Sequence, residues 1–202
     1  MKTLRKLKSS IGGHWWGISV LNSNPPGRKG FACPQAGRFC EAVKSAGGKK
    51  VLLDPDRFMC LGSRYAFGCR PDPKEQMIKK LAEEKGFPLT YAAKLIEGTP
   101  HFQIQPGAIG VNMGDQPQLL LAQLQPEQAM RLIQLYQKKM QKTYRTEIAA
   151  VITACANVTV KALQSQDMVI SFGCNDSRAY GGLTRNRLYA GVPYTLAVEL
   201  IR

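Results

Sequence analysis

The chain has 202 residues, enough to fill the core of one domain. Apolar residues make up 44% and charged residues 21%, the balance of a globular protein and not of a disordered one. Against 14 Asp and Glu stand 28 Lys and Arg, a formal charge of +14 that argues against basic partners and for acidic ones: nucleic acid, a small anionic ligand or an acidic protein.

The N-terminus, MKTLRKLKSSIGGHWWGISVL, is basic (Lys2, Arg5, Lys6, Lys8) and then apolar, as a signal peptide is. Gly12, Gly13, His14 and Gly17 break the apolar part and no small-residue cleavage site follows, so a targeting segment is not expected. No stretch approaches the ~20 apolar residues of a membrane helix, and the expected location is the cytoplasm. WWGISVL (15–21) predicts a first strand, and SNPPGRKG, with Arg28 and Lys29, a loop. GRFCEAVKSAGG predicts a helix through Phe39, Val43 and Ala46, stopped by Gly47 and Gly48, and KKVLLD a short strand.

Asp72 and Pro73 open a helix, DPKEQMIKKLAEEKG, which Gly86 closes; LTYAAKLIEG predicts another. TPHFQIQPGAIGVNMGDQP is rich in turn residues, and its GAIGVNMG fits neither a dinucleotide loop nor a P-loop, so it reads as a turn. QLLLAQL predicts a buried strand. PEQAMRLIQLYQKKM is the clearest helix, with Pro126 and Glu127 at its start, Lys138 and Lys139 at its end, and an apolar face of Met130, Ile133, Leu135 and Tyr136. EIAAVITAC and DMVISFG predict strands rich in β-branched residues, and PYTLAVELI a closing helix. This succession predicts an α/β (or α+β) fold, a mixed sheet with flanking helices, as a single domain over 1–202.

One motif occurs twice. FMCLGSRYAFG (58–68) and FGCNDSRAYGG (172–182) both read F-x-C-x-x-S-R-x-x-x-G, matching Phe58 with Phe172, Cys60 with Cys174, Ser63 with Ser177, Arg64 with Arg178 and Gly68 with Gly182. Cys40 precedes Cys60 by 20 residues and Cys155 precedes Cys174 by 19, and each upstream cysteine begins C-x-x-V. Repeat units of about 37–70 and 152–184 follow, two related halves expected to pack about a pseudo-twofold that brings Cys40, Cys60, Cys155 and Cys174 together. Cys33 and Cys69 have no repeat partners.

Four thiolates satisfy an iron–sulfur cluster or a structural zinc. The paired C-x-x-C knuckles of zinc sites and the C-x-x-C-x-x-C run of ferredoxins are both missing, so spacing alone establishes neither. Arg64 and Arg178 suit the shell around a negatively charged cluster, and suit equally a carboxylate or phosphate ligand. Ser63 and Ser177 read as helix caps or as part of that shell. The competing readings are plain core packing of the cysteines and a reactive thiol, with Cys40 near a helix start as nucleophile. With only His14 and His101, a histidine metal site or Ser-His-Asp triad is not expected. The Trp15–Trp16 pair reads as core. No zinc-finger, helix-turn-helix or RNP pattern accompanies the basic residues, and nucleic-acid binding stays an alternative.

The blocks FCEAVKSAGGKKVLLDPDRFMCLGSRYAFG, PEQAMRLIQLYQ, TACANV, ISFGCNDSRAYGG and YAGVPYTLAVEL, in this order from about Trp16 to the C-terminus, resemble the ArCR family, domain of unknown function 169. The resemblance implies a cysteine set at Cys40, Cys60, Cys155 and Cys174 with an arginine at Arg178, and a setting among anaerobic bacteria and archaea that favours oxygen-labile clusters. It implies no reaction. The expected function is therefore a four-cysteine iron–sulfur protein, [4Fe–4S] in type (zinc or no cofactor being the alternatives), acting in electron transfer or on a small anion. Its expected partner is an acidic redox protein or small anionic ligand, with a homodimer also open.

Overall fold

The structure, a computed structural model, describes residues 2–23 and 37–202. Cys33, Arg28, Lys29 and nearly all of the predicted loop lie outside the described residues. Among the described residues six strands form one sheet: β1 (His14–Leu21), β2 (Val51–Leu53), β3 (Ala108–Val111), β4 (Leu119–Leu124), β5 (Val169–Ser171) and β6 (Leu188–Pro193). Their order is β2-β3-β1-β4-β6-β5 and every pairing is antiparallel. The α/β organisation is as expected, with an antiparallel sheet in place of a mixed one. The order places β3 between β1 and β2, and β6 between β4 and β5. The strand order by itself does not establish an axis relating the two halves.

Helices cover both faces, which is why β4, LLLAQL, is buried along its whole length and apolar at every position but Gln123. One face carries Trp15, Leu120, Ala122, Leu124, Ile170 and Val192, packed beneath α1 (Lys2–Ile11), α6 (Pro126–Met140) and α9 (Tyr194–Ile201). The other carries Trp16, Ile18, Ile109, Leu119, Leu121 and Tyr189, beneath α2 (Phe39–Ala46) and a π-helix (Thr153–Val160) that continues as α7 (Lys161–Ser165). Adjacent residues of a strand point to opposite faces, so the Trp15–Trp16 pair is shared between the two cores. Two short helices, α3 (Leu61–Ala66) and α8 (Asn175–Ala179), edge this second face. Outside α3, α4 (Lys74–Lys85) and α5 (Leu89–Glu97) close a third cluster of Tyr65, Met77 and Ile96.

Four elements differ from expectation, each for a local reason. The basic N-terminus is α1: burying Thr3, Leu7 and Ile11 on one side leaves the lysines on the other, and each large apolar side chain buried contributes about 1.5–3 kcal/mol. GAIGVNMG is half strand and half turn. Ala108–Val111 is β3, and Asn112 then takes a left-handed backbone (φ 57°) while its side chain accepts from Gly17 N at 3.1 Å and donates to the Gly47 and Lys49 carbonyls. EIAAVITAC is not a strand. Its last residues enter the π-helix, buried all round, where Thr159 Oγ1 donates to the Ala154 carbonyl five residues back at 2.7 Å. In α6 the core face is Ala129, Leu132 and Tyr136, and Met130 is exposed.

Candidate functional site

The two motifs fold alike. Cys60 is the N-cap of α3 and Cys174 the N-cap of α8, a place usually held by a hydroxyl or carboxylate because sulfur is a weak acceptor. Ser63 and Ser177, the third residues of these helices, are buried. Ser177 Oγ accepts from Cys174 N at 2.8 Å while Cys174 Sγ accepts the Ser177 N–H. Ser63 Oγ instead accepts from Phe39 N at 3.2 Å, tying α3 to α2. The serines thus sit inside the helices and lock their first turns. Gly68 (φ 64°) and Gly182 (φ 66°) close both motifs in the left-handed region that glycine adopts freely.

The arginines clamp loops. Arg64 Nη2 donates to the carbonyls of Arg70 (2.9 Å) and Pro71 (3.3 Å), with Nε buried and unbonded. Arg178 donates to the carbonyls of Thr184 (3.0 Å) and Phe172 (2.6 Å).

Cys40 is the second residue of α2 and Cys155 the third of the π-helix; both are buried, whereas Cys60 and Cys174 are partly open. Cys40 and Cys155 each lie within reach of the fields of Cys60 and Cys174. Burial first, and then Cys60, Cys174 and Cys40, push the Cys155 thiol well above its ordinary range. Burial, followed by Cys174 and Cys60, raises Cys40 to about 12. Burial thus favours the neutral Cys40 thiol, which weighs against the alternative of Cys40 as a nucleophile. Cys69 stands apart, its sulfur on the Pro55 carbonyl at 3.4 Å.

At the open edge Cys60 Sγ donates to Asp176 Oδ2 at 3.4 Å. Arg38 Nε donates to the same oxygen at 3.4 Å, and the Arg38 guanidinium lies 3.6 Å over the Tyr180 ring. Burial raises the Cys60 thiol and the Asp176 charge raises it further, while the Ser63 N–H and hydroxyl work against both. Beneath the thiols, Gln123 Nε2 donates to the Gly181 carbonyl and to Tyr189 Oη, both at 2.9 Å. A side chain at Gly181 would strike Cys40 Cβ and Tyr189 Oη at 2.9 Å, so glycine is needed there for the two layers to meet.

The expected iron–sulfur function does not hold. Among the described residues no group of three or more His, Cys, Asp or Glu side chains is arranged to hold a metal ion. The sulfurs are engaged separately, Cys60 with Asp176 and Cys174 with the Ser177 N–H, and all five described cysteines are free thiols. Asp176, Arg38, Tyr180, Tyr189 and Gln123 are site residues that motif matching passes over. For Asp176 a signal existed: it stands where the first motif has Gly62, the one place in C-x-x-S-R at which an acid replaces a residue without a side chain.

The family model described as uncharacterised ArCR, domain of unknown function 169, matches residues 17–202. The chain belongs to this family. The ArCR match takes in all four thiols, both motifs and every strand beyond the start of β1, and leaves α1 outside. No curated protein and no solved structure matches the chain. No described helix is long and apolar enough to cross a membrane.

Proposed function

We propose that this protein is a thiol–disulfide redox protein of the reducing cytoplasm, in which Cys60 is the attacking thiol and its neighbours on the four-thiol face resolve the mixed disulfide. The observation that supports this most is the 3.4 Å contact of Cys60 Sγ with Asp176 Oδ2, at a partly open position whose charge is felt by Cys40 and Cys155. A partly open thiol held in a fixed hydrogen bond is positioned to meet a disulfide arriving from solvent, and burial together with the Asp176 charge keeps it protonated until then. Here Arg38 orients Asp176, and Tyr180 backs Arg38.

At rest the carboxylate keeps Cys60 protonated. Loss of that proton leaves a thiolate held by the Ser63 N–H and hydroxyl. The thiolate bonds to one sulfur of a substrate disulfide as that disulfide breaks, and the other sulfur leaves and takes up a proton. A second thiol, the partly open Cys174, loses its proton and attacks Cys60 Sγ, and the released first sulfur takes up a proton. Two electrons and two protons pass to the substrate, and the cellular thiol pool restores the protein dithiol. The strand order and the matched motif geometry also support the inference that the halves are related by a pseudo-twofold, an axis that would set two N-capping sulfurs alike.

Reaction of the reduced protein with the neutral disulfide 2,2′-dithiodipyridine, followed by peptide mapping, tests the reading. Cys60 is expected to react at least about tenfold faster than Cys40 or Cys155, the equivalent of one pKa unit or more of thiolate access, and then to appear in an intramolecular disulfide. Cys60→Ser should abolish the fast phase. Uniform slow reaction of all the cysteines, or stoichiometric zinc or iron holding the four thiols, would overturn it.

A further inference from the structure

Three large apolar side chains are exposed around this site: Met59 at 81%, Phe172 at 53% and Tyr180 at 44%. Met59 immediately precedes Cys60, Phe172 stands two residues before Cys174, and Tyr180 ends α8. They belong to one connected rim. Met59 N donates to the Gly37 carbonyl at 2.9 Å, and its side chain covers Gly37 at 3.3–3.5 Å from where a Cβ would sit. The next residue, Arg38, reaches Asp176 and lies over Tyr180. Arg178, on the same helix as Asp176, holds the Phe172 carbonyl. Solvent-facing Lys44 stands beside this rim, against Gly182 at the end of the second motif.

Aromatic residues, Met and Arg are the types enriched where proteins meet, and Lys, Glu and Asp are depleted there. A small disulfide would need no such rim. The whole chain carries +14, which complements an acidic surface and speeds its encounter. The apolar surface of Met59 and Phe172 beside the sulfurs offers contacts that a phosphate backbone cannot use, which favours a protein over a nucleic acid.

We infer that the rim of Met59, Phe172 and Tyr180, with Arg38, Arg178 and Lys44, is the docking surface for an acidic protein, which presents its disulfide to Cys60. The inference rests on the thiol reading above, and the following test separates the two.

Two synthetic peptides, each with one pyridyl-disulfide cysteine, are prepared, flanked in one by glutamates and in the other by lysines. Their binding to Cys60→Ser, which cannot react, is measured by fluorescence anisotropy alongside their reaction with the unmodified protein. The acidic peptide should bind at least about tenfold more tightly at low salt, an advantage that shrinks as salt rises. Met59→Ser with Phe172→Ser should weaken that binding several-fold while leaving the rate with 2,2′-dithiodipyridine unchanged. Equal binding of the two peptides, or no effect of the rim substitutions, would overturn the docking surface while leaving Cys60 chemistry intact. Displacement of the acidic peptide by a single-stranded oligonucleotide at equal charge concentration would also overturn it, by making the surface a general polyanion site. Binding as expected without reaction at Cys60 would uphold the surface and sink the thiol chemistry.

Discussion

The segments 58–68 and 172–182 carry the same motif and turn it to different uses. In the first, Phe58 is buried, Ser63 reaches across to Phe39, and Gly68 sits under the Phe102 carbonyl. In the second, Phe172 faces solvent, Ser177 bonds back to its own helix cap, and Gly182 meets only the flexible end of Lys44. One copy is an anchor in the core and the other an open lip with an added carboxylate, Asp176. A shared backbone device, a sulfur-capped turn closed by a left-handed glycine, thus places two sulfurs alike while the surroundings decide which residues carry stability and which carry chemistry.

The comparison breaks first at the phenylalanines. Phe58→Ala empties a core position and should cost about 3–5 kcal/mol in urea denaturation, whereas its counterpart should cost almost nothing. Equal losses would mean that the second motif is as deeply built in as the first. Next come the glycines. Gly68→Ala meets the left-handed penalty of about 1–2 kcal/mol and drives its methyl into the Phe102 carbonyl, so its loss should clearly exceed that of Gly182→Ala, which has the penalty and a movable lysine 2.9 Å away.

The buried side of the face is tested by alkali. Burial pushes the folded Cys40 thiol up to about 12 from an ordinary value of 9.0, so its contribution is complete below pH 9. Between pH 9 and about 12 the unfolded chain loses the proton and the folded one does not, so stability should fall by up to about 1.4 kcal/mol per pH unit. Cys40→Ala should flatten that fall, read as melting temperature against pH. Smallest of all is Phe172→Ala, expected to stay within about 0.5 kcal/mol of the parent in thermal melts.

Much of this was legible from residue order. The motif, the four thiols and the ends of α2, α4, α6 and α9 follow from caps, glycines and spacing. What escaped was decided by tertiary burial. β3 hides because Gly110 leaves no room for a side chain beside Met113, 2.7 Å from where a Cβ would sit, and so it reads as turn. β6, LYAGVP, ends on a proline that a strand seldom tolerates. The β-branched run 151–160 looks like a strand, but it is packed on all sides and winds as a π-helix after Ile152, whose φ of 50° such a residue rarely takes. Met130 drew the face of α6 toward itself because apolar size is easier to see than the small Ala129 that is buried in its place. At the site, the repeat pointed to what the motifs share, and the reactive contact comes from where they differ.

The most direct measurement is the pH dependence of Cys60 alkylation by iodoacetamide, followed by mass spectrometry, in the parent protein and in Asp176→Asn. Removing the carboxylate takes away a charge that raises the Cys60 thiol, so its midpoint should move to lower pH while that of Cys69, remote from Asp176, stays in place. An unchanged Cys60 midpoint, or equal shifts at both cysteines, would contradict the pairing of Cys60 with Asp176 on which the account depends.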